Sequence, residues 1–277
     1  MEVRFLPDNN TYKRMTTQEL RSAFLVESLF NNDKIDLVYT DVDRAIIGSA
    51  VPVTKSLKLE ASKKEMAADY FTERRESGVI NVGGAGIIKA DGVEFELDFK
   101  DGFYIGRETK EIEFKSKNSN KPAQFYVMSY PAHTKYENKL VKFSEAESSK
   151  LGSQEDSNKR TIYKYIHPNG IKSCQLVMGL TELDEGSIWN TMPAHTHLRR
   201  SEVYTYFNVN EDSVVFHFMG EEKETRNLVI KNLQTVISPS WSIHAGAGTK
   251  NYSFIWAMGG ENQEFADMDV IKIKDLL

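Results

Sequence analysis

The sequence predicts an all-β protein built from two similar barrels with a few short helices. Three observations point there: many short apolar runs between Gly, Asp and Asn turns, little helical periodicity, and an echo of the first half in the second. The runs fall at 79–85, 86–90, 93–97 and 124–129, then at 203–209, 213–219, 227–230, 235–238 and 252–258. Helix is expected in two places. Thr16-x-x-Glu19 has the form of a capping box, and Leu20, Phe24, Leu25 and Leu29 follow as an apolar stripe. Residues 61–76 contain few strand formers and form a second helical patch. Residues 137–160 are charged, serine-rich and nearly free of large apolar side chains, as a linker would be. The expected organisation is therefore a helical segment over 1–30, a barrel over 31–136, a linker over 137–160 and a second barrel over 161–277.

The echo is local. Glu73-Arg-Arg-Glu-Ser-Gly leads into a strand as Leu198-Arg-Arg-Ser-Glu-Val does, and Asp101-Gly-Phe-Tyr-Ile-Gly106 runs like the segment from Leu233 to Pro239. Composition narrows the class of function. A chain of 277 residues can bury a substantial core, and 40% apolar with 27% charged residues is ordinary for a soluble globular protein. A net charge of −5 and a pI near 5.8 leave no basic footprint for nucleic acid. Residues 1–14 are too polar for a signal peptide, and no apolar run approaches a membrane span. Cys174 is the single cysteine, so no internal disulfide can form, and a cytoplasmic location is expected.

Chemistry concentrates in His195-Thr-His197-Leu-Arg-Arg-Ser-Glu202 and, further on, His244. Three imidazoles and one carboxylate suit zinc, iron, nickel or manganese and leave coordination positions open for substrate. His195 and His197 are two positions apart, so on an extended segment they share a face. Glu202 lies at an odd offset from them, so Leu198-Arg-Arg-Ser201 must bend or begin a new strand. Residues 201–209 read as that strand, and alternation puts Tyr204 and Tyr206 on the face of Glu202. His244 must arrive from a distant strand. In the first half the corresponding positions hold residues such as Ser77 and Glu111, so that barrel is expected to carry no metal.

The spacing His195-x-His197-x4-Glu202 with Pro239-x4-His244 resembles the two motifs of the cupin superfamily, whose jelly-roll barrels hold a metal with three His and one Glu. Val209 and Trp241 stand where glycine is common in those motifs, and Gly248 where asparagine is common. A narrower resemblance, to the 5-keto-4-deoxyuronate isomerase family, runs along nearly the whole chain. It is carried by Glu73-Arg-Arg-Glu76, Gly78-Val-Ile-Asn-Val-Gly-Gly-Ala-Gly86, Pro131-Ala-His-Thr134, Cys174-Gln-Leu176 and Met178-Gly-Leu-Thr-Glu182. Further segments are Trp189-Asn-Thr-Met-Pro193, His195-Thr-His197, Val236-Ile-Ser-Pro-Ser-Trp-Ser-Ile-His244, Phe254-Ile-Trp256 and Gly260-Glu-Asn-Gln263. The resemblance implies a cytoplasmic, hexameric enzyme of pectin and uronate breakdown with one Zn2+ per subunit on His195, His197, Glu202 and His244. It implies conversion of 4-deoxy-L-threo-5-hexosulose uronate to 3-deoxy-D-glycero-2,5-hexodiulosonate.

Such an aldose–ketose isomerisation moves a proton between adjacent carbons through an enediolate, and a divalent ion would stabilise the developing charge. A base must take the C2 proton and return it at C1. Glu261, His217 and Tyr204 are the candidates, in that order, with a metal-held hydroxide as the alternative. The substrate carboxylate favours an arginine partner, for which Arg199, Arg200 and Arg160 are available. Trp241 and Trp189 are candidate pocket walls. Two rival readings are an iron-dependent dioxygenase, since the same ligands suit non-haem iron, and a non-catalytic sugar-binding protein.

Overall fold

A computed structural model describes residues 1–264 and 266–277, and among them strand is abundant while helix is confined to short segments. Two compact units account for the contacts. One comprises Met1–Arg4, Ser28–Glu147 and Tyr165–Val177, the other Phe5–Glu27, Ser148–Lys164 and Met178–Leu277. These bounds differ from the expected ones. Residues 5–27 are part of the second unit rather than a separate segment. The helix Thr17–Phe24 is capped as expected, with Thr16 accepting from the Glu19 amide and Glu19 reaching back to the Thr16 amide. Its Phe24, with Tyr12, packs on Trp241. An eight-residue helix is unstable alone, and it persists by burying that apolar stripe.

Each unit is a pair of sheets, and the two pairs match strand for strand. In the first, the seven-stranded sheet runs Glu2–Arg4, Ile35–Thr40, Ile46–Ala50, Phe125–Pro131, Arg75–Asn81, Gly102–Ile105, Lys139–Val141. Its four-stranded mate runs Leu57–Lys58, Ile112–Ser116, Gly86–Ala90, Val93–Leu97. Val79, Phe103 and Phe125 from the large sheet meet Ile88, Leu97 and Phe114 from the small one in a single apolar core. The second pair has the order Glu147–Leu151, Arg160–Ile166, Val177–Leu183, Ser253–Gly260, Arg200–Phe207, Thr235–Ser238, Leu25–Val26. Its small sheet runs Trp189–Asn190, Ala245–Gly248, Val215–Glu221, Glu224–Ile230. The same relative order in both units bears out the duplicated all-β architecture.

Two expectations are corrected. The span 137–160 is not a bare linker, because Lys139–Val141 and Glu147–Leu151 are edge strands. Both are short, and Glu147-Ser-Ser-Lys150 adds charged and polar side chains, two ways by which an exposed edge avoids pairing with other chains. The helical patch over 61–76 shrinks to one turn, Lys63–Met66, which ends where Ala67 turns left-handed (φ 50°), and the strand Arg75–Asn81 takes up the chain soon after.

The strand Arg200–Phe207 is buried along its whole length. It lies between Ser253–Gly260 and Thr235–Ser238, with Glu202 opposite Met258 and Ser238, and Tyr204 opposite Trp256 and Val236. Its even positions face one way. Glu202 meets the histidines, Tyr206 Oη lies 2.7 Å from His217 Nδ1, and Thr205 turns away to bond Thr235 at 2.8 Å. Next to this core, Gly179 lets Trp256 lie against the backbone. A Cβ there would sit 2.2 Å from the Tyr163 carbonyl oxygen and 2.4 Å from the Trp256 ring. The carbonyl belongs to a sheet and cannot yield. Gly179→Ala is expected to lower unfolding free energy by about 1–3 kcal/mol, the usual cost of overpacking, as read by urea denaturation. An unchanged midpoint would show that the backbone there has room.

Candidate metal centre

Each member of the cluster is placed by a different piece of local structure. His195–Thr196 is a short strand paired with Asp269–Val270, and the chain then turns at Leu198-Arg199 before Arg200–Phe207 begins. This is the break that the offset of Glu202 demanded. His244 stands just before Ala245–Gly248 in the small sheet. His195, His197, Glu202 and His244 bring one donor atom each to a common point, all within 4.8 Å of one another. His195 Nε2 lies 3.0 Å from the Nε2 atoms of both His197 and His244. Glu202 Oε2 lies 3.2 Å from His197 Nε2 and 2.8 Å from His244 Nε2.

Protonation tells what belongs between them. His197 Nδ1 sits 2.5 Å from the Asp267 carbonyl oxygen, which can only accept, so the ring proton is on Nδ1. Arg200 Nη2, 3.3 Å from the same nitrogen, therefore finds no lone pair there. His197 Nε2 faces the cluster, with the ring oriented by an outer partner as metal-ligating imidazoles usually are. Burial, followed by the His244 charge, pushes the His195 pKa down to about 3, so this ring is neutral at ordinary pH. Burial alone would raise the Glu202 carboxyl, but His244 and His197 hold it well below the usual range. Three imidazole nitrogens and a carboxylate oxygen facing one another in a buried space fit a divalent cation. Among the described residues no other group of His, Cys, Asp and Glu offers such a set.

A cavity of about 270 Å³ opens on the cluster, at the small end for ligand sites and suited to one monosaccharide-sized molecule. Arg160, Thr181, Thr191 and Tyr204 bring polar atoms to it, and Ile162, Met192, Phe254, Trp256, Met258, Met268 and Val270 make most of the wall. Tyr204 Oη is 3.1 Å from Thr191 Oγ1, its ring centroid is 5.5 Å from that of His244, and burial raises its pKa well above the ordinary phenol value. It stays protonated. Burial lowers the Arg160 pKa, and this side chain donates to the Asn158 carbonyl at 2.8 Å while lining the cavity.

Several sequence expectations are redirected. Glu261 is exposed at the end of its strand, and its amide bonds the Arg199 carbonyl; it does not line the cavity. His217 is wholly buried behind the cavity and held by Tyr206, so neither first-ranked base faces a substrate. Arg199 is engaged by Asp267 and Asp269, and the buried Arg200 donates to the Glu264 carbonyl at 2.6 Å. Both are held by protein oxygens away from the cavity. Trp241 stacks on Tyr12 at 4.8 Å between centroids, and Trp189 on Phe218 at 5.9 Å; both serve packing. Thr191, Met268 and the Asp267 carbonyl were not anticipated. Thr191 lies within the idiosyncratic Trp189-Asn-Thr-Met-Pro193, but a carbonyl contact to a histidine seventy positions away leaves no mark in composition.

The buried His217 carries a pH signature. Burial, followed by the His244 charge, pushes its pKa down to about 3. An unfolded imidazole titrates near 6.5, so above about that pH neither state binds the proton and stability is unaffected. Below it the unfolded chain takes up a proton that the folded ring refuses. Stability then falls by about 1.4 kcal/mol per pH unit until the folded pKa is reached. In metal-free protein, His217→Gln should flatten the loss of unfolding free energy between about pH 6.5 and 5 by roughly that slope. An unaltered slope would mean that the ring is protonated in the fold.

A model of the KduI/IolB family matches residues 24–273. The chain is 54% identical over 276 residues to the 4-deoxy-L-threo-5-hexosulose-uronate ketol-isomerase of Caldicellulosiruptor bescii, with 100% of each chain covered. To the protein of the same name from Enterobacter sp. it is 50% identical over 277 residues, again with 100% of each covered. Among solved structures, an IolB-like protein from Salmonella typhimurium superposes with a TM-score of 0.70 at 13% identity, covering 90% of this chain and 96% of that one. Oxalate decarboxylase from Bacillus subtilis gives 0.55 at 10% identity, covering 79% and 70%. At such identities these two bear on the fold alone. Matched from residue 24 to residue 273, and identical at half or more of its positions to full-length relatives, the chain belongs to the KduI/IolB family.

Proposed function

We propose that the protein is a zinc-dependent ketol-isomerase that converts 4-deoxy-L-threo-5-hexosulose uronate to 3-deoxy-D-glycero-2,5-hexodiulosonate in pectin and uronate breakdown. The observation that carries the reading is the intact cluster of His195, His197, Glu202 and His244 opening on a small cavity. The substrate comes from the full-length relatives, which bear the isomerase name. A cytoplasmic, hexameric protein, as the family resemblance implies, is part of the same proposal. No helix among the described residues is long and apolar enough to cross a membrane.

His195, His197, Glu202 and His244 would hold the ion, which when bound supplies Lewis-acid stabilisation of charge developing on the substrate oxygens. The chain's own residues bind and orient the substrate. Arg160, the one arginine lining the cavity among the described residues, pairs the substrate carboxylate. Tyr204, of the three side chains considered for proton transfer, is the one that lines the cavity. Kept protonated by burial and linked to Thr191, it donates a hydrogen bond to the substrate oxygen on which charge develops. The apolar wall of Phe254, Trp256 and Met258 keeps water from the enediolate and strengthens every charge interaction inside.

Proton NMR of zinc-loaded protein with the 5-keto uronate in D2O tests the reading. Formation of the 2,5-diketo acid with deuterium at C1, abolished by chelation, is the expected result. A folded, metal-loaded protein that leaves the sugar unchanged would overturn it, and consumption of oxygen instead would indicate the dioxygenase. Arg160→Ala should raise KM about ten- to hundredfold, the worth of a hydrogen bond to a charged group, with a smaller effect on kcat. A variant with unaltered KM would remove Arg160 from the carboxylate site.

A further inference from the structure

Residues 266–271 lie across the cluster and are fastened there by polar contacts. Asp269–Val270 pairs antiparallel with His195–Thr196, placing Val270 opposite His195, and the Ile271 amide donates to the Ala194 carbonyl at 2.9 Å. Met268 and Val270 line the cavity, yet they are 38% and 63% exposed. Their outer sides face solvent, and of the segment it is Ile271 that packs on the buried Ala194, Ile243 and Ala245. A side-chain latch adds to that packing. Arg199 Nε lies 2.8 Å from both Asp267 carboxylate oxygens, and its Nη2 lies 2.5 Å from Asp267 Oδ1 and 3.2 Å from Asp269 Oδ2. Asn262 Nδ2 supports the same carboxylate at 2.7 Å. The residue so gripped is the one whose carbonyl accepts the proton of the ligand His197.

We propose that residues 266–271 form a strap over the metal centre and that Arg199 is the positioning residue that latches it. The proposal rests on the metal reading above. Arg199 sits in the turn between two ligands, so one side chain ties the strap to the bend that aims His197 and Glu202. Exposed ion pairs contribute little to global stability, so the effect of the latch should be local. Releasing Asp267 frees the carbonyl that sets the His197 tautomer. Losses of such outer partners lower metal affinity about ten- to hundredfold.

The test uses the full chain, stripped of metal and titrated with zinc alone, with hydrogen exchange at the Ile271 amide as a second readout. Arg199→Met should raise the zinc dissociation constant about tenfold or more and speed exchange at Ile271 severalfold, with an unchanged circular dichroism spectrum. Arg199→Lys, which keeps the charge but not the planar fork, should recover part of both. Asp267→Asn added to Arg199→Met should cost no further affinity, because both act through one latch. Wild-type affinity and wild-type exchange in Arg199→Met would overturn the strap while leaving the metal reading intact. Failure of the wild type to bind zinc would sink the metal reading, and exchange at Ile271 would still report on the latch. If Arg199→Met does not fold, the milder Asp269→Asn is read in the same way.

Discussion

A carboxylate buried beside three imidazoles is the constraint around which the second unit is arranged. Glu202 is only 5% exposed, and an ionised carboxylate so placed is costly unless cations or donors surround it. Its strand lies inside a seven-stranded sheet and offers it no backbone donor, so the compensation must come from elsewhere in the chain. The preceding turn brings His195 and His197, and the small sheet brings His244, and this group could hold a cation that would complete the charge balance. Tyr204 and Tyr206 continue the same face of the strand, and they extend the polar lining from the cluster into the interior. The site is thus a property of one strand face and of the segments that reach it.

The first unit shows what the same framework does without the histidine cluster. Ser77 occupies the place of Glu202, third in its strand, buried and with no hydrogen-bond partner for its hydroxyl among the described residues. Glu111, in the place of His244, is exposed. The buried carboxylate of this unit is Glu76, on the opposite strand face. It accepts from the Cys174, Gln175 and Leu176 amides at 2.7–2.9 Å and from the Tyr104 hydroxyl at 2.8 Å. Backbone donors satisfy one carboxylate and imidazoles the other. Arg75 and Arg200 keep a common role, each buried and donating to main-chain carbonyls. The duplicated framework therefore retains its structural arginine where the residues of the cluster have diverged.

Much of this was legible in residue order. The grouping of His195, His197, Glu202 and His244, the break after His197, the shared face of Glu202 and Tyr204, and the capping box at Thr16 all follow from local periodicity and spacing, which a one-dimensional pattern records. What could not be read depends on partners distant in sequence. Arg199 and Arg200, flanked by ligands, looked ready for a substrate, but Asp267, Asp269 and the Glu264 carbonyl occupy them. Glu261 has the right chemistry and the wrong exposure. Trp241 sits three residues from His244, yet Tyr12 and Phe24 from the start of the chain determine which way it faces. The polar stretch 137–160 carries the composition of a linker because exposed edge strands share it.

The central claim is that His195, His197, Glu202 and His244 hold one divalent ion. X-ray absorption at the zinc edge of the loaded protein, with metal content measured for wild type and His244→Ala, tests it most directly. The expected result is about one zinc per chain in a nitrogen and oxygen shell near 2.0–2.2 Å, with imidazole scattering and no sulfur, and loss of that zinc in the folded variant. A sulfur shell, or His244→Ala that keeps its zinc in an unchanged shell, would contradict it.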